Sequence, residues 1–438
     1  MEPVKVGLLG LGTVGGGTVD VLTSNAAEIA RRAGRGIEIA FAAAREYRPE
    51  TISGLDRIGR IGDDAFAVVE DPEIEIVIEL IGGYSPAREL VLKAIENGKH
   101  VVTANKALIA KHGNEIFAAA RERGVVVGFE AAVAGGIPII KALREGLAAN
   151  HIEWIAGIIN GTGNFILTEM RDKGRDFADV LAEAQALGYA EADPTFDVEG
   201  IDAAHKLTIM GSLAFGIPLQ FERCFTEGIS KIGAMDVVYA AELGYRIKHL
   251  GIARRSETGI ELRVHPTLVP ERRLLANVEG VMNAVLVKGD AVGPTLYYGA
   301  GAGALPTASA VVADLVDVVR GLTTDPNNRV PHLGFQPDAL ADTPVLRIEE
   351  VETAYYLRIS ALDQPGVMAR IASILGEQGI SIEAIKQKEP GEGETYVTMV
   401  MLTHRVLEGR MNEALSRIEA LDSVQEPVMR IRMETLSG

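Results

Sequence analysis

Residues 4–22 read VKVGLLGLGTVGGGTVDVL: a β-rich apolar run, a glycine turn, and a continuation able to form a helix. Gly10, Gly12 and Gly15 fit the spacing G-x-G-x-x-G. At that spacing Gly10 permits a tight turn and Gly12 lets the backbone approach a pyrophosphate. Gly15 lets the helix pack close, with its N-terminus facing the anion. In a chain with 48 glycines the pattern alone is weak. Placed between a strand and a helix, it predicts a dinucleotide-binding fold, a plain structural turn being the alternative.

The next elements keep to that plan. A second strand is predicted over Ile37–Ala43, followed by Arg45 and Glu46. A carboxylate after this strand suits the ribose 2′-hydroxyl of NAD and an arginine suits the 2′-phosphate of NADP, so Arg45 tilts the expectation slightly toward NADP. EIEIVIELIGG (Glu73–Gly83), a helix from Ser85 to Gly98 and the strand in HVVTANKALIA repeat the strand–helix–strand order of parallel β-α-β units. Their ligand sites lie at the strands' carboxyl ends. Lys106 follows one such end, as a surface lysine opening a helix or as a group at the cofactor edge. A further strand, Val125–Phe129, precedes EAAVAGGIPIIKAL, whose small residues and Pro138 imply a close-packed turn. Backbone carbonyls of such a turn can hold water or a hard cation.

At 438 residues the chain is long enough for two or three domains. Its net charge of -17 and lack of a basic stripe argue against nucleic acid as a partner. The single cysteine, Cys224, cannot form an internal disulfide, and no apolar run approaches the ~18 residues of a membrane span. A cytoplasmic protein without a membrane partner is expected.

In the middle of the chain the strand in IEWIAGII (Ile152–Ile159) leads into NGTGNFILTEM, where backbone amides could receive an anion or Asn160 or Thr162 could simply cap a helix. A helix over Phe177–Leu187 ends at Gly188. Then comes EADPTFDVEGIDAAHK, residues 191–206, with five carboxylates and no lysine or arginine before its last residue. Pro194 forces Asp193 out of helical geometry, so Glu191–Gly200 reads as a shaped loop and a helix starts near Ile201. Asp202 and Lys206 are then i, i+4 on one face. Most such pairs are exposed salt bridges of a few tenths of a kcal/mol. Here Ala203, Ala204 and the following LTIMG predict a helix buried on most sides, which makes Lys206 a candidate proton donor.

These motifs together resemble homoserine dehydrogenase. GLGTVG, VTANKAL, FEAAVAGGIPII, GIINGTGN, GYAEADPTFDVEGIDAAHK and GAGAGALPTASAVVADL occur in that order over residues 4–322. The resemblance implies NAD(P)-dependent interconversion of L-homoserine and L-aspartate 4-semialdehyde in threonine, methionine and isoleucine biosynthesis. It implies Lys206 as the acid/base and Lys106 as a catalytic group at the cofactor and substrate boundary. Glu191 and Asp202 would hold the amino acid, leaving Asp193, Asp197 and Glu199 to shape the loop. Gly10, Leu11, Gly12, Thr13, Val14, Gly15, Arg45, Lys106 and Gly303 would contact the cofactor, and the carbonyls of Glu130, Val133, Gly135 and Ile137 would hold a monovalent cation, expected to be sodium. Gly163 stands where relatives commonly carry threonine or serine. A lysine must lose its proton to act as base and ordinarily titrates near ~10.4, so alcohol oxidation should quicken at alkaline pH; a flat profile would count against Lys206.

Past Gly321, TTDPNNRVPHLGFQPDALADTP reads as a linker. The remainder follows β-α-β-β-α-β order, which is ferredoxin-like, and LDQPGVMARIASIL, with Asp363, Pro365 and Gly366, resembles an ACT domain. L-threonine is the expected effector, with assembly alone as the other reading, and a homodimer or homotetramer is expected. The expected organisation is an α/β Rossmann-type domain over 1–135, completed by about 304–322, and an α+β substrate and dimerisation domain over 136–303. A linker over 323–353 and an ACT domain over 354–433 follow. Two competing readings remain. An aspartate-semialdehyde dehydrogenase needs a thiol nucleophile near the nicotinamide, and Cys224 is far from any such motif; an inactive amino-acid sensor on the same fold would not need Lys106, Glu191, Asp202 and Lys206.

Overall fold

The computed structural model describes residues 2–387 and 395–436; the stretch 388–394 inside the expected regulatory domain lies outside the described residues. The chain divides into two compact units. The first comprises Met1–Ile155, Asp202–Glu222 and Val281–Thr343, and the second Ala156–Ile201, Arg223–Gly280 and Pro344–Gly438.

The first unit is built on a six-stranded parallel sheet: β1 (Val4–Leu9), β2 (Ile37–Ala43), β3 (Arg60–Gly62), β4 (Ile76–Glu79), β5 (His100–Thr103) and β6 (Val127–Gly128). The strand order is β3-β2-β1-β4-β5-β6. This is the Rossmann arrangement, in which the winding reverses between β1 and β4 and opens a crevice at their carboxyl ends. Covered on both faces, β1 and β4 are buried almost throughout, which is why they read as apolar runs. The strand expected over Val125–Phe129 is shortened to two residues. Val126 N–H donates to His100 Nδ1 at 2.9 Å and Val127 N–H to His332 Nε2 at 3.1 Å, so side chains take bonds that a longer ladder would use.

The glycine turn behaves as its spacing predicts. Gly10 has φ +98°, and a Cβ on Gly15 would stand 2.1 Å from the Gly10 carbonyl oxygen. Around Gly12 an added Cβ would meet nothing within 4 Å, so the space a ligand needs is open. The helix Thr13–Ser24 packs on the late helix Ala304–Gly321 through Gly17, whose Cβ would approach the Ala304 oxygen to 2.7 Å. Residues far along the chain thereby complete the first unit's core, where Val311 and Leu315 join Val6, Leu8 and Ile78.

In the second unit the strands run in the order Tyr245–Arg255, Ile260–Pro270, Met429–Met433, Glu352–Leu362, Tyr396–Thr403, Ile382–Gln387. The last four, with helices Val367–Glu377 and Glu408–Glu419, form the ferredoxin-like ACT module. Its helices cover one sheet face around Leu357, Met399 and Met411. The other face buries Tyr356, Val400 and Ile431 together with Phe165, Val180 and Val237 from the preceding helices. The module also shares a sheet, Thr267 and Leu268 pairing in parallel with Arg432 and Met433. It is continuous with its unit, and the strand Glu352–Leu362 is buried on both faces at its centre.

Candidate active site

The helix Ile201–Phe215 starts where Pro194 and the glycine at 200 predict, and every residue from Asp202 to Phe215 is buried. Its first turn presents Asp202 and Lys206 on one face. Lys206 Nζ donates to Asp202 Oδ2 at 2.7 Å, with side chains 11% and 6% exposed, so this pair is not the solvated bridge that i, i+4 spacing usually yields. Lys106, in the first turn of the helix Lys106–Arg123, reaches the other carboxylate oxygen of Asp202 at 3.1 Å. One carboxylate thus serves two ammonium groups. Each oxygen of the Asp202 carboxylate faces a different lysine nitrogen.

Four further groups, Glu79, Thr103, Asn105 and His205, shape this site, and sequence reasoning missed them. Glu79, at the carboxyl end of β4 and fully buried, accepts from Ile81 N–H at 2.9 Å, Gly82 N–H at 3.0 Å and the Thr103 hydroxyl at 2.7 Å. Thr103 Oγ1 in turn accepts from Asn105 N–H, and Asn105 Oδ1 caps the helix by accepting from Leu108 N–H, both at 3.0 Å. One buried carboxylate therefore fixes the glycine turn after β4 and the turn that delivers Lys106. A glutamate closing an apolar strand before a glycine pair was the available signal. His205 stacks on Phe221 with centroids 4.2 Å apart, and its Nε2 lies 3.3 Å from the Tyr84 hydroxyl. Burial pushes its imidazole down to about 4; Asp202 opposes this, while Lys106, Lys111 and Lys206 add to it.

Glu191 belongs to the second unit. It is exposed, and its carbonyl accepts from Gln185 Nε2 at 3.0 Å. Within its loop, Asp193 Oδ1 accepts from Thr195 N–H at 3.1 Å, Asp197 Oδ1 from Asn160 Nδ2 at 2.7 Å, and Glu199 Oε1 from the Ser230 hydroxyl at 2.7 Å. These three acids hold the loop's shape. Pro194 is also the N-cap of a one-turn helix, Thr195–Val198, inside the expected loop, its carbonyl accepting from Val198 N–H at 3.0 Å while its ring leaves no N–H to satisfy. Asn160 Oδ1 caps the helix Gly161–Lys173 through Gly163 N–H at 2.7 Å, so in NGTGN the capping reading describes the contact.

Of the cofactor-side residues, Leu11 is buried, Gly10 and Val14 are half-buried, and Gly12, Thr13 and Arg45 are exposed. Gly303, with φ +122°, is the N-cap of the helix Ala304–Gly321. The helix Thr13–Ser24 has no side-chain cap at Gly12, which leaves its first amides suited to an anion. The Gly15→Ala substitution would force a Cβ onto the Gly10 oxygen. It is expected to weaken NADPH binding roughly 10- to 100-fold, the equivalent of about 1–3 kcal/mol of overpacking, as read by fluorescence titration.

Glu130–Ile137 turns through two left-handed residues, Ala134 at φ 56° and Gly135 at φ 47°. Ile137 O accepts from Ile139 N–H at 2.8 Å and Glu130 O from Val133 N–H at 3.3 Å, and a carbonyl oxygen retains a second lone pair. Carbonyl oxygens are the donor type that a hard cation takes. Among the described residues no group of three or more His, Cys, Asp or Glu side chains could hold a metal ion.

Family models match three consecutive stretches: "Homoserine dehydrogenase, NAD binding domain" over residues 10–130, "Homoserine dehydrogenase" over 138–316, and "ACT domain" over 355–423. A homoserine dehydrogenase of Pseudomonas aeruginosa is 70% identical over 100% of both chains. The chain belongs to the homoserine dehydrogenase family. The crystal structure of a homoserine dehydrogenase from Thiobacillus denitrificans, 68% identical, aligns with a TM-score of 0.95 over 100% of this chain and 99% of that one. A hyperthermophilic archaeal homoserine dehydrogenase mutant in complex with NADPH, 26% identical, covers 72% of this chain and 97% of its own at a TM-score of 0.60. The chain is an oxidoreductase with an NAD(P)-binding Rossmann domain and a C-terminal ACT domain, and the semialdehyde dehydrogenase and sensor readings fall away.

Homoserine dehydrogenase chemistry must run on a fold whose buried titratable groups pull against each other with pH. Burial pushes His100 and His249 down to about 4, as it does His205 and His332. A histidine depressed in the folded state contributes stability that is complete above ~6.5 and is lost as pH falls through 4. Burial instead raises Glu130 to about 7, with Asp314 adding to the effect, and raises Asp314 to about 6. Those two contribute stability below the ordinary carboxylate range and lose it as pH rises through 6 to 7. Burial also holds His265 well below the ordinary imidazole range, and five imidazoles outweigh two carboxyls, so the melting temperature should fall by at least about 5 °C between pH 7 and pH 4.5. A constant or rising value would contradict this balance.

Proposed function

We propose that the chain oxidises L-homoserine to L-aspartate 4-semialdehyde, and runs the reverse reduction, as a step of threonine, methionine and isoleucine biosynthesis. The observation that carries this reading is a buried carboxylate, Asp202, held between Lys206 at 2.7 Å and Lys106 at 3.1 Å. In the oxidation, Lys206 in its neutral form takes the hydroxyl proton as the carbon–hydrogen bond breaks and the carbonyl forms; in the reduction its ammonium returns that proton to the developing alkoxide. When bound, NADP or NAD supplies the hydride acceptor or donor. Asp202 orients both lysines and, with Glu191, holds the substrate's ammonium; Lys106 adds positive charge at the cofactor and substrate boundary.

For the cofactor, residues 10–15 and Gly303 would line the pyrophosphate and ribose, and Arg45 after β2 suits a 2′-phosphate. The NADPH in the archaeal relative's complex supports the same choice. The carbonyls of Glu130, Val133, Gly135 and Ile137 would hold a monovalent cation such as sodium, neutralising charge beside the cofactor domain. The functional division we infer is cofactor binding by residues 1–135 and 304–322, substrate binding and dimerisation by 136–303, and regulation by 354–433 after a linker. The ACT module would bind L-threonine in a cytoplasmic homodimer or homotetramer.

Initial rates with L-homoserine and either NAD or NADP test the reaction. Homoserine-dependent reduction, faster with NADP, is expected. No rate with either cofactor would overturn the reading. Millimolar L-threonine should lower turnover or raise the homoserine KM, and if it changes neither, threonine is not the effector.

A further inference from the structure

The segment Glu227–Ser230 lies against the acidic loop on one side and the ACT module on the other, all within the second unit. Toward the loop, Ile229 N–H donates to Val198 O at 2.9 Å and the Ser230 hydroxyl donates to Glu199 Oε1 at 2.7 Å. Gly228 packs so closely that a Cβ there would stand 2.2 Å from Glu199 Oε2. Beneath the loop's end, His249 donates from Nε2 to the Glu227 carbonyl at 3.0 Å, and its ring would lie 3.1 Å from a Cβ on Gly200. The loop has little room to move unless this segment moves with it.

Toward the ACT module, Glu227 Oε2 accepts from Arg432 Nη1 at 2.8 Å. Arg432 sits on the module's last strand with a fully buried side chain, and Glu408 of the helix Glu408–Glu419 grips it from the other side at 2.7 and 2.5 Å. Exposed ion pairs contribute little. This one differs because the guanidinium is out of water and must be satisfied by the two carboxylates, so a displacement of the ACT helix or strand is transmitted to Glu227.

We propose that Arg432 and Glu227 are positioning residues through which the ACT module sets the conformation of the Glu191–Gly200 loop, and hence the affinity for homoserine. The proposal rests on the reading of Glu191 as a substrate ligand. It assigns the regulatory module a mechanical route to the substrate loop, made of one ion pair to a buried guanidinium and one tightly packed backbone segment.

Steady-state kinetics of Glu227→Gln, Arg432→Lys, the double variant and Glu191→Gln test it. Glu227→Gln should raise the homoserine KM on the order of three- to tenfold, with the cofactor KM unchanged, and Glu227→Asp should restore part of the loss. A merely structural defect would move both KM values and gain nothing from aspartate. Arg432→Lys should act in the same direction, and the double variant should be no worse than the more affected single one. Additive effects, or an unchanged homoserine KM in Glu227→Gln beside a raised one in Glu191→Gln, would overturn the coupling and leave the substrate reading standing. An unchanged KM in Glu191→Gln would overturn both. Should Arg432→Lys fail to fold, Glu227→Gln decides alone, since its side chain is 31% exposed.

Discussion

Lys206→Ala is expected to lower kcat for homoserine oxidation by about three orders of magnitude, within the range for removing a positioned acid or base, while NADPH binding stays near its wild-type value. The separation of the two effects follows from the geometry. Lys206 projects from a helix buried from Asp202 onward and donates to Asp202, well away in sequence from the glycine turn. Its loss does not strand Asp202, because Lys106 remains 3.1 Å from the second carboxylate oxygen. The usual cost of an uncompensated buried charge is thus avoided, and the variant should fold. A fall in kcat of less than about tenfold would mean that Lys106 or water handles the proton.

Glu434→Gln carries the largest expected effect on stability, about 3–5 kcal/mol, the cost of removing one member of a buried ion network. Glu434 is 2% exposed; it accepts from Arg263 at 2.5 Å and from Arg254 at 2.9 Å, and Arg263 is itself 1% exposed. Burial opposes its ionisation, yet the two guanidinium groups hold its carboxyl down to about 2. Glutamine keeps the shape and removes the charge, leaving two arginines to share Glu261, which is 3.0 Å from Arg263 and 4.0 Å from Arg254. The melting temperature should fall by roughly 10 °C at neutral pH. A depressed carboxyl contributes stability above its ordinary pKa and loses it as pH falls through 2, so the gap between variant and wild type should narrow below about pH 4. A shift under about 2 °C at pH 7 would show that the network contributes little net stability.

How much of this was legible in the sequence depended on the range of the interaction. The strand, turn and helix at Val4–Ser24 and the strand Ile37–Ala43 rest on local patterns, and both stand where the patterns place them. The start of the helix at Ile201 was equally legible, because proline and glycine act on their immediate neighbours. Spacing alone put Asp202 and Lys206 on one face. Lys106 beside Asp202 was not readable that way, since it depends on a turn fixed by Glu79 and Thr103 and on a helix from a distant part of the chain. His205 was overlooked because a histidine beside alanines carries no local sign of whether it stacks on Phe221 or faces water. The ACT element order was plain from its strand and helix sequence. Its second buried face was not, because Tyr356, Val400 and Ile431 are covered by helices that any pattern within the module leaves out.

The most direct test is a crystal structure of the chain with L-homoserine and oxidised cofactor bound. The account predicts Lys206 Nζ within about 3.2 Å of the homoserine hydroxyl oxygen, the reach that proton transfer requires, with Asp202 still bridging the two lysines. A hydroxyl bound beyond that reach of Lys206, and beside another titratable group instead, would contradict it.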